Sequence, residues 1–254
     1  MQHFGAFIVG VIIGFLGGLF GKGGSAIATP LLAIIGYPGF IAVASPLPST
    51  IPGTLLASAQ YWKHKLLDWQ VFWWSVAVGV PATILGSALT KYTGARILLI
   101  LTAMLVLGFG LSFLIWPSEK KTGGTSAASQ QDESVPFSRV RLALIAFGVG
   151  FTSGLLANAG GFLLAPAYIR LLKLPIKKSF ACSLAVSAVL AVPGTIIHAY
   201  LGHISWTVTA LVALGSVPCS MIGARIAIRS RSSRLARMYG IFLTALGILS
   251  FFHL

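Results

Sequence analysis

The chain has 254 residues, of which 56% are hydrophobic and only 9% are charged, and its mean hydropathy is +0.91. Apolar runs of about 20 residues, enough to cross a bilayer, recur along it, which excludes a soluble domain. A β-barrel is excluded because its strands would give short alternating segments. The formal net charge of +14 does not indicate a nucleic-acid partner, since Lys and Arg occupy short loops between apolar runs.

The first half contains four apolar segments in chain order. Residues 4–36 are apolar with a glycine-rich interruption at 21–25, and residues 40–61 form a helix containing Pro46, Pro48 and Pro52. Residues 69–90 and 96–116 are further helices. The first segment is too short for two full crossings of about 20 residues each. It is therefore either a hairpin that enters and returns or one long broken helix.

The central part is polar and of low complexity, which predicts a disordered linker. We divide the chain into an N-terminal transmembrane repeat (4–116), the linker (117–139) and a C-terminal transmembrane repeat (140–253). The second half contains the apolar segments 142–172, 179–201, 205–224 and 235–252. The first of these is again interrupted by glycines.

The two halves share a pattern of glycine and proline at one constant offset. Gly14 and Pro30 correspond to Gly150 and Pro166, each 136 positions later, and further glycines repeat at the same offset. The fold class that this predicts is an all-α polytopic membrane protein. It would contain two inverted repeats, each a glycine-broken helical hairpin plus three transmembrane helices.

The charge distribution supports the inversion. The turn at 62–65 contains two basic residues, whereas its counterpart at 200–204 contains none; the turn at 36–40 contains none, whereas residues 170–178 contain four. Equivalent loops with opposite charge bias indicate opposite orientations in the membrane. We predict a cytoplasmic linker and both termini outside.

Interrupted helices inside a membrane indicate a binding site, because irregular backbone survives there only inside protein or beside water. The helices that begin after the two breaks offer free N–H groups and partial positive charge, which attract anions. Lys22, the only charged residue among the first 62, would add a full positive charge. The predicted substrate-binding residues are Lys22, Gly23, Gly24, Ser25, Ser45, Ser49, Thr50, Asn158, Gly160, Gly161, Ser183 and Ser187.

Each of these residues has a structural explanation as well. Lys22 can extend its amine into water at the surface, and Asn158 and Ser25 can cap helices. The glycines can serve close helix packing, and the hydroxyl groups can bond to helix carbonyls beside prolines. His64 and His198 are expected at the membrane interface.

Sequence patterns for catalysis are missing. The four acidic residues lie outside the apolar runs, which disfavours a carboxylate proton relay and a cationic substrate. No metal-ligand cluster, Ser-His-Asp set or paired carboxylate occurs at membrane depth. We therefore predict no enzyme activity, no cofactor and no metal.

The chain resembles the TauE/SafE sulfite exporter family, also called TSUP transporters. The resemblance rests on the glycines from Gly14 to Gly24, on Pro30, and on a less complete copy of the same pattern from Gly150 to Pro166. It implies a multi-pass protein of the bacterial inner membrane that transports sulfite, organosulfonates or related sulfur anions.

We expect a permease that exports a small sulfur-containing anion by alternating access between the two breaks. A cation-coupled uptake symporter is an alternative of the same class. A membrane scaffold subunit without transport is an alternative of another class. The expected partners are the anionic substrate and the lipid bilayer.

The predicted topology has a direct test. A reporter enzyme fused after Leu254 should be active only outside the cytoplasm, whereas one inserted in the linker should be active only inside. A cytoplasmic result at the C-terminus would contradict the inverted arrangement.

Overall fold

The structure is a computed structural model that describes residues 2–21, 25–92 and 138–252, with separate helical positions between 97 and 111. The predicted linker lies outside the described residues as far as position 137. Lys22, Gly23 and Gly24 also lie outside them. The described chain consists of helices and the turns that connect them.

Both halves form a series of helices. The first half contains α1 (Gln2–Phe20), α2 (Ser25–Ile34), α3 (Gly39–Ala44), α4 (Pro46–Lys63) and α5 (Trp69–Leu89), followed by a 3₁₀ turn at Thr90–Tyr92. The second half contains α6 (Arg139–Leu155), α7 (Gly161–Arg170), α8 (Ile176–Tyr200), α9 (Trp206–Arg229) and α10 (Ser232–Phe252). The described positions between 97 and 111 are helical, as expected for the predicted helix at 96–116.

The chain is an all-α polytopic membrane protein, as predicted. Five helical spans of the described part are long and apolar enough to cross a membrane: Gln2–Phe20, Gly39–Lys63, Trp69–Leu89, Ile176–Tyr200 and Trp206–Arg229. Their outer faces carry exposed apolar side chains such as Ile196 and Leu214. Hydroxyl side chains such as Ser75, Thr83 and Ser87 are buried between the helices. This distribution, apolar outside and polar inside, suits a lipid environment.

The first broken segment is a hairpin, which decides between the two alternatives left open by the sequence. A Cβ added at Gly36, just after α2, would lie 3.5 Å from the side-chain amide of Gln2 at the start of α1. One added at Gly5 would lie 3.1 Å from Ile35. The chain therefore returns to the end from which it started. Helix α2 has only 10 residues, about 15 Å at 1.5 Å per residue.

Helix α1 packs along α9, which belongs to the other half, through a stripe of glycines. A Cβ placed on Gly14 would overlap the backbone of Ser216, and one on Gly18 would overlap the carbonyl oxygen of Ser220. From the other side, Gly223 lies equally close to α1. Small residues let helix backbones approach where lipid offers no hydrophobic driving force between them.

The equivalent pair, α5 and α6, packs in the same way. A Cβ on Gly150 would meet the backbone of Gly79, one on Gly154 would overlap the carbonyl oxygen of Thr83, and Gly86 lies against α6. Each half thus packs its first helix against a helix of the other half. The repeated glycines inside α1 and α6 are explained by helix packing rather than by ligand contact.

Left-handed backbone conformations recur at corresponding positions of the two halves. The pairs are Gly21 (φ 68°) and Ala157 (φ 47°), Gly36 (φ 94°) and Lys173 (φ 55°), and Lys65 (φ 56°) and Gly202 (φ 72°). Each second member follows the first by 136 or 137 positions. The backbone therefore supports the duplication, while the opposite membrane orientation of the halves stays a prediction.

The loops meet in the combinations that the predicted topology requires. Phe40 and His203, from two loops predicted outside, stack with ring centroids 4.4 Å apart. Lys177 donates to the carbonyl oxygen of Ile228 at 2.6 Å, which joins two segments predicted inside. Which face is cytoplasmic remains a prediction from charge.

Replacing Gly18 with Ala should destabilise the protein, because its Cβ would overlap the α9 backbone. We expect a cost of about 1–3 kcal/mol in the free energy of unfolding, as for other overpacked sites. Unfolding in detergent micelles would measure it. Gly148→Ala is the control, because a Cβ at Gly148 meets nothing within 4 Å. Equal stability of the two variants would contradict the packing account.

Candidate functional site

The first break follows α1 and is held by the second half. Gly21 has a left-handed conformation, and a Cβ there would meet Phe180 of α8 at 2.5 Å. The hydroxyl of Ser183 donates to the Gly21 carbonyl at 2.5 Å and lies 3.1 Å from the carbonyl of Phe180. Ser183, a predicted site residue, therefore satisfies a carbonyl that the helix end leaves without an intrahelical partner.

The second break lies between α6 and α7 and contains Asn158 and Gly160. Gly160 adopts φ 74°, which glycine allows without strain, and Gly161 begins α7. The hydroxyl of Ser153 donates to the backbone carbonyl of Asn158, while the Asn158 N–H donates to the Ser153 carbonyl at 2.8 Å. The irregular backbone is thus hydrogen-bonded within the protein, as a membrane interior requires.

The two breaks meet at their tips. Ser25, the first residue of α2, donates from its hydroxyl to the side-chain oxygen of Asn158 at 2.5 Å. The N–H of Ala159 donates back to the Ser25 hydroxyl at 3.1 Å. Ser25 is fully buried and Asn158 is 4% exposed. The structure therefore brings together Ser25 and Asn158, which the sequence placed in one site although they lie far apart in the chain.

The Asn158 side chain retains hydrogen-bonding capacity. Its oxygen accepts from Ser25, whereas its amide nitrogen makes no hydrogen bond to the described residues. In the first turn of α7, Leu163 and Leu164 donate to the Gly160 carbonyl at 3.0 and 2.9 Å. The N–H groups of Gly161 and Phe162 have no helical acceptor, as is usual at a helix start. Hydrogen-bond donors and a helix start beside Gly160 and Gly161 suit a small anion.

The predicted hydroxyl residues of α4 form local bonds. Ser49 donates to the carbonyl of Pro46 at 2.6 Å and Thr50 to that of Leu47 at 2.7 Å. Hydroxyl groups beside prolines commonly bond to helix carbonyls in this way, without any role in ligand binding. The hydroxyl hydrogens of both residues are therefore already engaged.

Ser45 and Ser187 differ from the other predicted hydroxyl residues. The Ser45 hydroxyl accepts from the N–H of Ser205 at 2.9 Å, and the Ser45 carbonyl accepts from Thr209 at 2.7 Å, so Ser45 anchors the start of α9. Ser187 is fully buried in α8, and its hydroxyl has no hydrogen-bond partner among the described residues. Ser187 is therefore the predicted hydroxyl residue whose hydrogen-bonding capacity is unused within the described part of the chain.

A small cavity, partly open to its surroundings, lies between α1, α4, α8 and α9. Its lining consists of Ile13, Gly14, Gly17, Gly18, Thr50, Gly53, Thr54, Leu184, Ser216 and Ser220. Among the predicted site residues, the lining includes only Thr50. Ser216 and Ser220 lie near the middle of α9, so the cavity lies at mid-depth in that helix.

Sequence inspection missed Thr54, Ser216 and Ser220 in this cavity. Ser216 and Ser220 are four residues apart and therefore share one face of α9. That spacing matches Gly14 and Gly18 on α1, against which they pack. A search for small and hydroxyl residues at matching helical spacing in both halves would have identified them.

Gly53 opens the cavity, and its counterpart closes the equivalent space. A Cβ on Gly53 would lie 3.6 Å from the Ser220 hydroxyl, an ordinary contact. Leu190, 137 positions later, occupies the equivalent position on α8. Its side chain lies 3.0 Å from a Cβ built on Gly79. Leu190 therefore fills space of the kind that Gly53 leaves open.

His198 lies in the last turn of α8 and is buried in the protein rather than exposed. It is 1% exposed, and its Nε2 lies 3.3 Å from the carbonyl of Gly154 at the end of α6. In the first half, Tyr61 donates to the Gly18 carbonyl, also at 3.3 Å. Helical periodicity places His198 on the inner face of α8, where it bonds a carbonyl next to the break. His64 is exposed, as expected.

Asp68 has a structural role. Its carboxylate accepts from the N–H groups of Gln70 and Val71 at 3.0 and 3.1 Å and so caps α5. Within the described residues, no group of three His, Cys, Asp or Glu side chains has the arrangement of a metal site.

Broken helices that meet inside a polytopic helical protein are typical of membrane transporters. The family model described as "Sulfite exporter TauE/SafE" matches residues 6–250. The chain therefore belongs to the TauE/SafE family, which confirms the resemblance noted in the sequence.

Relatives from bacteria and archaea share nearly the whole chain. A protein of Xylella fastidiosa, named "Probable membrane transporter protein", is 26% identical over 94% of this chain and 91% of its own length. YunE of Bacillus subtilis, with the same description, is 25% identical over 86% and 85%. A probable membrane transporter protein of Methanocaldococcus jannaschii is 26% identical over 95% and 92%. No solved structure matches the chain significantly.

The contact between the breaks has a measurable energy. Ser25→Ala leaves the Asn158 oxygen without its donor and should cost about 1–3 kcal/mol in the free energy of unfolding. A double-mutant cycle with Asn158→Ala should give a coupling of about 0.5–3 kcal/mol. Additive effects of the two substitutions would contradict the contact.

Ser58→Ala is the matched control for Ser25→Ala. The Ser58 hydroxyl is exposed and donates to the carbonyl of Leu55 in its own helix. Its removal should change the free energy of unfolding by less than about 0.5 kcal/mol.

Proposed function

We propose that this protein is a permease that moves a small sulfur-containing anion, sulfite or an organosulfonate, out of the cell across the inner membrane. The observation that carries the proposal is the meeting of the two breaks, where Ser25 touches Asn158 and the Asn158 amide nitrogen retains its donors. The name of the matching family model and the transporter names of the relatives support it.

The proposed binding site lies where the breaks meet. Asn158 and the N–H groups at the starts of α2 and α7 would donate hydrogen bonds to the anion. Gly23, Gly24, Gly160 and Gly161 would let the backbone come close to it. Lys22 would contribute positive charge, and Ser187 a hydroxyl. Donors of this kind recognise oxyanions without a carboxylate or a metal.

The cavity beside Gly53 is proposed as part of the translocation path. Thr50, Thr54, Ser216 and Ser220 give it a polar, uncharged wall. In this structure Ser25 and Asn158 bond to each other, so an anion that enters between them must replace that bond. Rocking of the halves would then alternate access, as described for transporters built from inverted repeats.

The membrane potential can drive export without a coupling ion. With a negative interior, each net negative charge that leaves gains about 2.3 kcal/mol per 100 mV. A purely potential-driven exporter therefore needs no intramembrane carboxylate.

Flux measurements in proteoliposomes test the proposal. Wild-type protein should carry sulfite, and the flux should follow an imposed potential. Lys22→Ala should lower the flux about tenfold, because a hydrogen bond to a charged group contributes about 1.5–3 kcal/mol. Gly53→Val should lower it by narrowing the cavity, whereas Gly148→Ala should leave it unchanged.

Different failures have different meanings. No wild-type flux of sulfite, thiosulfate or any organosulfonate would contradict the permease and favour a scaffold subunit. Flux that is unchanged in folded Lys22→Ala would retain the permease and remove Lys22 from the site. Unchanged flux in Gly53→Val would remove the cavity from the path.

A further inference from the structure

An imidazole side chain is buried in the interior of the described structure. Among the Asp, Glu, His, Lys and Arg residues that the structure describes, His198 alone is buried. An ionisable side chain buried within a membrane protein is costly to retain and marks a functional position by default. The proposed anion site makes no use of it.

The hydrogen bonds of His198 determine where its proton lies. Its Nε2 faces the Gly154 carbonyl at 3.3 Å, which can only accept, so Nε2 carries the hydrogen. Its Nδ1 lies 3.2 Å from Nδ1 of His203. In the neutral pair, Nδ1 of His198 must accept, and Nδ1 of His203 must donate.

The pair has room for one further proton. The remaining nitrogen, Nε2 of His203, makes no hydrogen bond to the described residues and can accept it. A second added proton would place two N–H groups facing each other at 3.2 Å and two cations with ring centroids 5.4 Å apart. The two rings therefore share a single added charge.

The surroundings of the pair are compatible with reversible protonation. Phe40 stacks on His203 with ring planes 13° apart, an arrangement that also suits an imidazolium. His203 lies in the loop between α8 and α9, predicted outside, and its partial burial lowers its pKa below the ordinary value. No Asp, Glu, Lys or Arg of the described residues hydrogen-bonds to either ring.

The other groups that hydrogen-bond to the Gly154 carbonyl are neutral. The Gly154 carbonyl is also 3.3 Å from the Ser87 hydroxyl, 3.5 Å from the Thr90 hydroxyl and 3.2 Å from the N–H of Ala157. These donors come from α5, the turn after it and the second break. Only the two imidazoles of this cluster titrate near neutral pH.

We propose that His198 and His203 form a one-proton site whose occupancy is positively linked to anion binding at the second break. The proposal rests on the anion site of the proposed permease. A proton that moves together with the anion favours uptake under an inward proton gradient, so this linkage supports the cation-coupled uptake alternative over export. His198 bonds the Gly154 carbonyl, and Asn158 lies only four residues further along the chain. A proton on the pair adds positive charge near the anion in a medium of low dielectric constant, so each ligand favours the other.

The first half contains a corresponding hydrogen bond whose donor does not titrate near neutral pH. Tyr61 makes the equivalent bond to Gly18 and remains neutral near pH 7. His198→Tyr therefore keeps a donor for the Gly154 carbonyl while removing the proton site. His203→Gln removes the second ring, and His64→Gln is the control because His64 is exposed in a loop.

The proton site can be tested without transport. In nanodiscs, ¹⁵N spectra of the histidine rings should show the two imidazoles taking up one proton together, below about pH 6.5. His198 should be in the Nε2–H form at neutral pH. Independent titration of the two rings, or an Nδ1–H form of His198, would overturn the proton site. This outcome does not depend on whether the protein transports sulfite.

The linkage is tested with thiosulfate, which, unlike sulfite, does not titrate near neutral pH. Its affinity for wild-type protein should rise about fivefold or more on going from about pH 8 to pH 5. An inward proton gradient should then drive its accumulation in proteoliposomes. His64→Gln should behave as wild type. His198→Tyr and His203→Gln should lose both the pH dependence and the accumulation.

The two proposals can fail separately. Thiosulfate flux with an affinity that does not change with pH would contradict the linkage and leave the permease standing. A pH-dependent affinity retained by folded His198→Tyr would show that the proton binds elsewhere and would also overturn this proposal.

Discussion

Backbone groups at a helix break inside a membrane need partners from the protein, because lipid supplies none. The two breaks of this chain obtain some of them from their own half, as Ser153 bonds Asn158, and others from the opposite half. Ser183 of the second half bonds the first break, and Ser25 of the first half bonds the second. The same exchange appears in the scaffold, where α1 packs on α9 and α5 on α6. Neither half can complete its break alone, so a movement of one half against the other must change the break contacts.

The halves share their architecture but have diverged in function-bearing positions. The conformations at Gly21 and Ala157 correspond, and so do the helix starts at Asp68 and Ser205, with identical φ and ψ angles. At two inner positions the side chains differ. Gly53 opens a cavity where Leu190 fills the equivalent space, and Tyr61 gives a fixed donor where His198 gives a titratable one. These differences leave a cavity beside one inner position and place a titratable side chain at the other.

Hydropathy predicted the helices well, because a transmembrane span depends on length and composition. The predicted helix at 69–90 is α5, and the repeat at 136 positions identified the facing breaks. Finer features depend on register. Pro52-Gly53-Thr54 recurs in the sequence as Pro193-Gly194-Thr195, at an offset of 141. Tyr61 and His198, which make equivalent hydrogen bonds in the structure, are 137 apart, so the sequence match differs from the structural one by about one helical turn. The burial of His198, the cavity serines Ser216 and Ser220, and the packing role of Gly14 follow from which helices are neighbours, which a sequence alone does not specify.

The central claim is that the tips of the two breaks touch and must separate during transport. The most direct test is to crosslink the two tips. Ser25→Cys and Asn158→Cys are introduced into a variant that lacks Cys182 and Cys219, and a short thiol crosslinker is applied in native membranes. The account predicts efficient crosslinking, protection by sulfite, loss of flux when linked, and recovery after reduction. Crosslinked protein that transports at the full rate, or a pair that reacts singly but never crosslinks, would contradict it.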